Sequence, residues 1–137
     1  MTRSNNTTEH GEQAVVIQWA KYREGRYPEL KWLLAIPNGA KLPYKKTRSG
    51  KRYSPEAIKL KAEGLKSGVS DLFLPAPRNG FCGLWVEMKV GTNKPTEEQT
   101  IFTADMNSRG YLATGCWGSE HAIVSIATYL GIPMDEW

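Results

Sequence analysis

Two carboxylates and one ammonium in the middle of the sequence have the types and spacing of a reactive site. Glu87 and Lys89 lie in the run 84–90, where alternation with a period of two puts both charges on one face of a predicted strand. Asp71 opens a preceding apolar run, and a hairpin between the two runs would bring its carboxylate near Glu87. Two close carboxylates repel unless a cation offsets them. Oxygen ligands without neighbouring Cys or His favour Mg²⁺ or Mn²⁺ over zinc.

Each of these residues also has a purely structural explanation. Glu87 and Lys89 could belong to an edge strand with a solvated polar face, since a central strand rarely carries two charges unless they are paired or bind something. Asp71 follows the glycine-containing turn 66–70 and could be a turn or capping residue. Glu12 is a third candidate carboxylate, because it lies on the inward stripe of a predicted helix, but the helix dipole also favours an acid in the first turn.

A basic segment at residues 40–53 is the second candidate feature. It contains no acidic residue, two tyrosines and no apolar periodicity, so we predict an exposed loop. Phosphates attract clustered Lys and Arg, which favours a nucleic-acid contact; the alternative is a solvated, flexible loop. The candidate DNA-binding residues are Lys41, Lys45, Lys46, Arg48, Lys51 and Arg52.

The elements that must position these residues are predicted from caps, apolar periodicity and turn residues. Helices are expected over residues 8–22, 54–64, 96–110 and 119–131, with Thr8, Ser54, Thr96 and Ser119 as caps. Strands are expected over residues 32–36, 71–74, 84–90 and 111–116, with the second and third paired as a hairpin. This order predicts a central sheet flanked by helices, in an α/β or α+β arrangement.

Length and composition limit the number of domains and the kinds of partner that the protein can have. The 137 residues fit a single domain over 1–137 with a polar tail at 1–7, and the net charge of +4 is compatible with a polyanionic partner. No apolar run resembles a spanning helix or a signal peptide, so we expect a soluble, cytoplasmic protein without a membrane partner. Cys82 and Cys116 are too far apart for a CxxC site and are expected as reduced core residues. His10 and His121 are interpreted as structural.

These motifs together resemble the virus-type replication-repair nuclease (VRR-NUC) family of the PD-(D/E)XK superfamily. The resemblance runs from Glu12 to about Leu130, and its most specific part is the glycine-containing turn into Asp71 followed by Glu87-x-Lys89. Ser70 stands where the family often has proline; that residue shapes the turn and binds no metal. The other matching positions are Glu12, Asn38-Gly39, the segment 62–73 and Glu98-Gln99.

The resemblance implies a restriction-endonuclease-like core, with a mixed central sheet flanked by helices, and a metal-dependent endodeoxyribonuclease. Asp71 and Glu87 would bind Mg²⁺ or Mn²⁺, and the backbone carbonyl of Met88 would add a ligand. Lys89 would orient or activate the attacking water, and Glu12 would complete the acidic cluster. A bound cation of this kind polarises the scissile phosphate and lowers the pKa of bound water.

The resemblance also implies a further residue and a partner. Gln99 would lie near the site, although a capping box with Thr96 explains it equally well. Stand-alone members of the family are homodimers that cut four-way (Holliday) junctions, and a two-fold dimer matches the symmetry of branched DNA. Trp32, Trp117 and Trp137 are candidates for an exposed interface. If a bacteriophage encodes the chain, the expected location is the host cytoplasm.

Two other functions are alternatives to DNA cleavage. One is a non-catalytic, basic nucleic-acid-binding module on the same fold. The other is a structural or assembly domain with incidental acidic residues. The combination of Asp71, Glu87 and Lys89 favours the nuclease, because a module that only binds DNA has no need of carboxylates facing phosphates.

Overall fold

A four-stranded mixed sheet lies at the centre of the fold. The structure is a computed structural model, and it describes residues 8–37 and 45–137. The α-helices are α1 (Glu9–Arg23), α2 (Pro55–Ala62), α3 (Glu97–Ser108) and α4 (Ser119–Leu130). The strands are β1 (Leu34–Ala35), β2 (Lys45–Lys46), β3 (Arg52–Tyr53), β4 (Leu72–Leu74), β5 (Leu84–Lys89) and β6 (Leu112–Trp117). Short 3₁₀ helices cover Pro28–Trp32 and Met134–Glu136.

The strand order of the central sheet is β1-β4-β5-β6. Strand β4 pairs antiparallel with β1 and with β5, which confirms the predicted hairpin. Strand β6 pairs parallel with β5, and α3 forms the crossover between them. Strand β5 is therefore hydrogen-bonded on both sides. The predicted mixed sheet with flanking helices is confirmed.

The alternation along β5 separates two helix layers. Leu84, Val86 and Met88 are buried in one apolar core with residues of α1 and α4. On the opposite face, Trp85 stacks on Phe73 with ring centroids 4.2 Å apart. Phe102 of α3 meets Trp85 edge-on at 5.1 Å. The face that carries Trp85 also carries Glu87 and Lys89, so the charged residues of β5 lie on the α3 side.

The helix starts follow the local sequence closely. Thr8 Oγ1 accepts a hydrogen bond from Gly11 N, and Ser54 Oγ accepts one from Ala57 N. Thr96 forms the predicted capping box at the start of α3. The cap predicted at Ser119 is wrong: Gly118, at φ 88°, is the N-cap, and Ser119 is the first helical residue. The backbone of Gly118 takes the left-handed conformation that favours glycine.

The strand predicted over residues 32–36 is mostly wrong. Trp32 ends a 3₁₀ helix, and only Leu34 and Ala35 pair with β4. Leu34 is 43% exposed because β1 lies at the edge of the sheet. Cys82 is exposed, against the expectation of a core thiol, whereas Cys116 is buried.

The basic segment is a hairpin over its described part. Strands β2 and β3 pair antiparallel, with Lys45 opposite Tyr53 and Lys46 opposite Arg52. Residues 45–53 are all exposed, as predicted, but they form a two-stranded ladder rather than an irregular loop. Within residues 8–37 and 45–137, no helix is long and apolar enough to cross a membrane.

Candidate active site

Glu87 and Lys89 are buried charges on the central strand β5. Each is only 5% exposed. Strand β6 pairs with β5 from Leu84 to Lys89, and β4 pairs with its first half, from Leu84 to Val86, so β5 is a central strand. The edge-strand explanation is therefore wrong. Lys89 Nζ lies 3.8 Å from Glu87 Oε1, an ion pair longer than a hydrogen bond. Charges buried this deeply need compensation from partners or a ligand.

Asp71 is held beside β5 by the backbone of Met88. Asp71 comes directly before β4, is 6% exposed, and accepts a hydrogen bond of 2.7 Å from Met88 N to its Oδ2. The N–H and C=O of one strand residue point to the same side, so the carbonyl of Met88 also faces the Asp71 side. The hairpin thus brings two carboxylates and one carbonyl oxygen to one place.

Gln99 joins α3 to the carboxylate of Glu87. Its Nε2 donates to Glu87 Oε1 at 2.8 Å, while its Oε1 accepts from Thr96 N at 2.9 Å. The capping role and the role near the site were alternatives in the sequence, and one amide side chain fills both. Gln99 thus holds one oxygen of the Glu87 carboxylate, Oε1.

The other oxygen of Glu87, Oε2, is important for the charge balance of the site. Glu87 Oε2 is buried and has no hydrogen-bond partner within the described residues. Burial, followed by the charge of Asp71 and the hydrogen bond that a protonated Glu87 would donate to it, raises the pKa of Glu87 from 4.5 to about 8. Lys89 lowers this pKa, and Glu9 raises it slightly. A single lysine therefore leaves the carboxylate pair short of positive charge.

Glu9 and Glu12 are the two acids in the first turn of α1. Glu12 Oε2 accepts a 2.7 Å hydrogen bond from Ser119 N, so this carboxylate serves the start of α4. Glu9, in the same first turn of α1, also raises the pKa of Glu87 through its charge. Glu9 is not among the residues predicted for the site from the sequence, although it directly follows the Thr8 cap, where the helix begins.

A divalent cation would find only oxygen ligands here. Across residues 8–37 and 45–137, no group of three or more His, Cys, Asp or Glu side chains could hold a metal ion. Magnesium often binds through one or two carboxylates and keeps several waters, completing its shell with substrate phosphate. Asp71, Glu87 with its unpartnered Oε2, and the carbonyl of Met88 are suited to that kind of site. A metal role for Glu12 stays a prediction.

The remaining candidate residues belong to the basic segment and to the family pattern before it. Lys45, Lys46, Arg48, Lys51 and Arg52 are all exposed on the β2–β3 hairpin. Lys41, and Asn38-Gly39 of the family pattern, lie outside the described residues.

The three tryptophans considered for an interface are not equivalent. Trp32 is 57% exposed and Trp117 is 41% exposed. Trp137 instead packs against the core, and its indole Nε1 donates to Ile132 O at 2.8 Å. Only the first two offer aromatic surface to a partner.

The comparisons with known proteins agree with the fold and with the sequence motifs. A solved structure described as a VRR-NUC domain protein is similar to this chain with a TM-score of 0.72 and 25% identity. The match covers 93% of this chain and 91% of that one. No curated protein matches the chain. The sequence model of the VRR-NUC domain matches residues 7–120, more than three quarters of the chain. The chain belongs to the VRR-NUC family, a nuclease family that acts on DNA.

Proposed function

We propose that this chain is a Mg²⁺- or Mn²⁺-dependent endodeoxyribonuclease that hydrolyses phosphodiester bonds in branched DNA, with four-way junctions as its preferred substrate. The observation that carries the proposal is the buried pair of Asp71 and Glu87: among the described residues no donor reaches Glu87 Oε2, and Lys89 Nζ lies 3.8 Å from the other oxygen, Oε1. Such an arrangement is costly for a domain that only binds DNA, because ionised carboxylates repel both each other and phosphate.

Asp71, Glu87 and the carbonyl of Met88 would hold the ion. When bound, a divalent cation polarises the scissile phosphate and lowers the pKa of a bound water. The protein prepares this site in two ways: the hydrogen bond from Met88 N orients Asp71, and that from Gln99 Nε2 orients Glu87. Both carboxylates are thus held by donors that do not occupy Glu87 Oε2.

Lys89 supplies positive charge at the reacting phosphate. Its Nζ is 3.8 Å from Glu87 Oε1, so it neutralises part of the acidic charge without a short hydrogen bond to that oxygen. An ammonium in this position can donate to a phosphate oxygen or to the attacking water. Its charge then offsets the negative charge that develops on the phosphate as the bond breaks.

The β2–β3 hairpin would contact the DNA backbone. It presents exposed Lys45, Lys46, Arg48, Lys51 and Arg52, and residues 45–53 include no acid. Clustered cations of this kind bind phosphates with little regard to sequence. Lys41 would belong to the same contact.

We further propose that two copies form a homodimer. One small catalytic domain covers only a short length of duplex, whereas two copies related by a two-fold axis present two active sites to the arms of a junction. The exposed ring of Trp32 supports an aromatic interface. Light scattering should show twice the chain mass; a species of 15.4 kDa at micromolar concentration contradicts the dimer.

The central experiment compares cleavage of a four-way junction and a linear duplex of the same sequence in Mg²⁺, Mn²⁺ or EDTA. Glu87→Gln and Lys89→Ala should abolish cutting while circular dichroism shows an intact fold. Glu97→Gln, which removes an exposed acid from the first turn of α3, is the matched control and should cut normally. Wild-type rates in either site variant, or cutting in EDTA, contradict the assignment. Equal rates on the two DNAs contradict the junction preference alone.

A further inference from the structure

A groove opens beside Glu87, between α3 and β6. Its volume is about 370 Å³, and its lining includes Glu87, Pro95, Thr103, Ala104, Gly115 and Trp117. This volume is within the range of about 300–1,000 Å³ in which proteins bind small organic groups. Because Glu87 is part of the wall, whatever occupies the groove lies next to the carboxylate pair.

Gly115 keeps the floor of the groove open. It pairs with Glu87 across β5 and β6, so the strand next to the acid carries no side chain at this position. A Cβ at Gly115 would lie 3.2 and 3.3 Å from two ring carbons of Trp117. The absence of a side chain therefore lets the indole ring lie close to the strand.

Trp117 presents a fixed aromatic surface. Its Nε1 donates to Asn93 O at 2.8 Å, and its backbone N donates to His121 Nδ1 at 3.0 Å. The imidazole of His121 lies nearly parallel to the indole, at an interplanar angle of 23°. The indole nevertheless stays 41% exposed. A ring that is oriented in advance and still exposed is suited to stacking on a flat ligand.

The charge of the groove favours an uncharged ligand. Among the described residues that line it, Glu87 is the only ionisable one and there is no Lys or Arg. These residues offer a phosphate no cation to pair with, whereas the hydroxyl of Thr103 and the apolar atoms of Pro95 and Ala104 can accompany a neutral ring.

We propose that this groove binds one unpaired nucleobase of the cleaved strand, next to the scissile phosphate, with Trp117 stacking on it. The proposal rests on the proposed nuclease function, which places that phosphate at Asp71 and Glu87. A base inside a duplex is covered by its stacked neighbours, so it reaches Trp117 only after it leaves the stack. The groove thus selects DNA in which a base beside the cut site is unpaired or easily extruded.

A binding experiment tests the groove without any need for cleavage. Uniformly ¹⁵N-labelled protein is titrated with deoxythymidine 5′-monophosphate, and with 2-deoxyribose 5-phosphate as the ligand that lacks a base. The indole signal of Trp117, assigned by its loss in Trp117→Phe, should shift and saturate with the nucleotide, with at least fivefold weaker binding of the sugar phosphate. No shift, or equal shifts with the two ligands, overturns the proposal.

A variant that fills the groove, paired with a control on the same helix, distinguishes a loss of binding from a loss of folding. Ala104→Leu adds bulk at an exposed position of α3 that lines the groove, and leucine is a strong helix former. It should weaken nucleotide binding at least fivefold. Ile101→Ala alters the same helix at an exposed residue outside the groove and should leave binding unchanged. Unweakened binding in Ala104→Leu overturns the proposal.

Cleavage provides the second readout. An abasic nucleotide beside the cut site should slow the wild-type protein by about 5- to 150-fold, the range set by base–aromatic stacking. Trp117→Ala should slow cutting of normal DNA by a similar factor. In this variant, an abasic nucleotide beside the cut site should cause no further slowing. Unchanged sensitivity in Trp117→Ala contradicts the groove. If no DNA is cut at all, the nuclease function fails, and the NMR titration still decides whether the groove binds a base.

Discussion

Replacement of Glu87 by glutamine tests the electrostatic basis of the site. Burial and the neighbouring charge of Asp71 raise the pKa of Glu87 from 4.5 to about 8, so the folded protein keeps a proton that the unfolded chain releases. In metal-free protein, stability is therefore complete below pH 4.5 and is lost as the pH rises towards 8. Glutamine carries no charge at any pH, so the variant should not show this loss.

The size of the effect follows from the same pKa. Each pKa unit corresponds to about 1.36 kcal/mol, so a rise from 4.5 to about 8 sets an upper limit near 5 kcal/mol on the stability lost. That is a large part of the roughly 5–15 kcal/mol that stabilises a domain. Near pH 8.5, Glu87→Gln should be more stable than the wild type by up to this amount. Below pH 4.5 the two proteins should agree within about 1 kcal/mol.

The assay is urea unfolding followed by circular dichroism in EDTA, from pH 4.5 to 8.5. A difference of about 4 kcal/mol with a slope of about 2 kcal/mol per molar shifts the midpoint by roughly 2 M urea. The upper pH limit avoids Cys116 and Tyr129, because burial raises the pKa of each above 9 and 10 respectively. Glu97→Gln corrects for the loss of an exposed acid. A wild-type midpoint independent of pH, or an equal fall in Glu87→Gln, refutes the reasoning.

Four further outcomes are expected. In metal-free protein, Lys89→Met should extend the stability loss to higher pH, because Lys89 lowers the pKa of Glu87 in the folded state; an unchanged pH profile contradicts this. Mn²⁺ at 100 times its Kd should stabilise the wild type by about 2.7 kcal/mol, and Glu87→Gln much less, in thermal unfolding. Gly68→Ala should cost about 2–5 kcal/mol, since its φ is +84° and a Cβ would lie 2.7 Å from the Glu98 carbonyl; Gly64→Ala, in open space at φ +113°, should cost about 1–2 kcal/mol. Neutralising three cations of the hairpin, Lys45, Lys46 and Arg48, should lower the slope of log DNA affinity against log salt concentration by about 3. An unchanged slope means that the hairpin is a solvated surface without phosphate contacts.

Local sequence was sufficient for the helix starts and for the strand pair that carries the site. Thr8, Ser54 and Thr96 cap helices through hydrogen bonds to residues three positions away, so the signal lies within one turn of chain. The alternation in β5 and the turn before Asp71 likewise span only a few residues. For the same reason the charged pair on β5 and the carboxylate opposite it could be identified before the fold was known.

Long-range packing determined how deeply those residues are buried and what lies next to them. The sequence left Glu87 and Lys89 open to an edge or a central strand, and only the parallel pairing with β6 made β5 central and buried both charges. The same pairing placed Gly115 beside Glu87 and opened the groove under Trp117.

The partners of the acids of α1 could not be predicted from the sequence. Periodicity placed Glu12 on the inward stripe of the helix, but the helix meets the start of α4 there, and Glu12 binds Ser119 N. Glu9, three residues earlier in the same turn, raises the pKa of Glu87 through its charge. Sequence by itself determined the elements and the chemistry of the side chains, because caps and strand alternation are properties of neighbouring residues. Burial, charge compensation and the hydrogen-bond partner of Glu12 depend on contacts between residues far apart in the chain, and only the tertiary structure decided them.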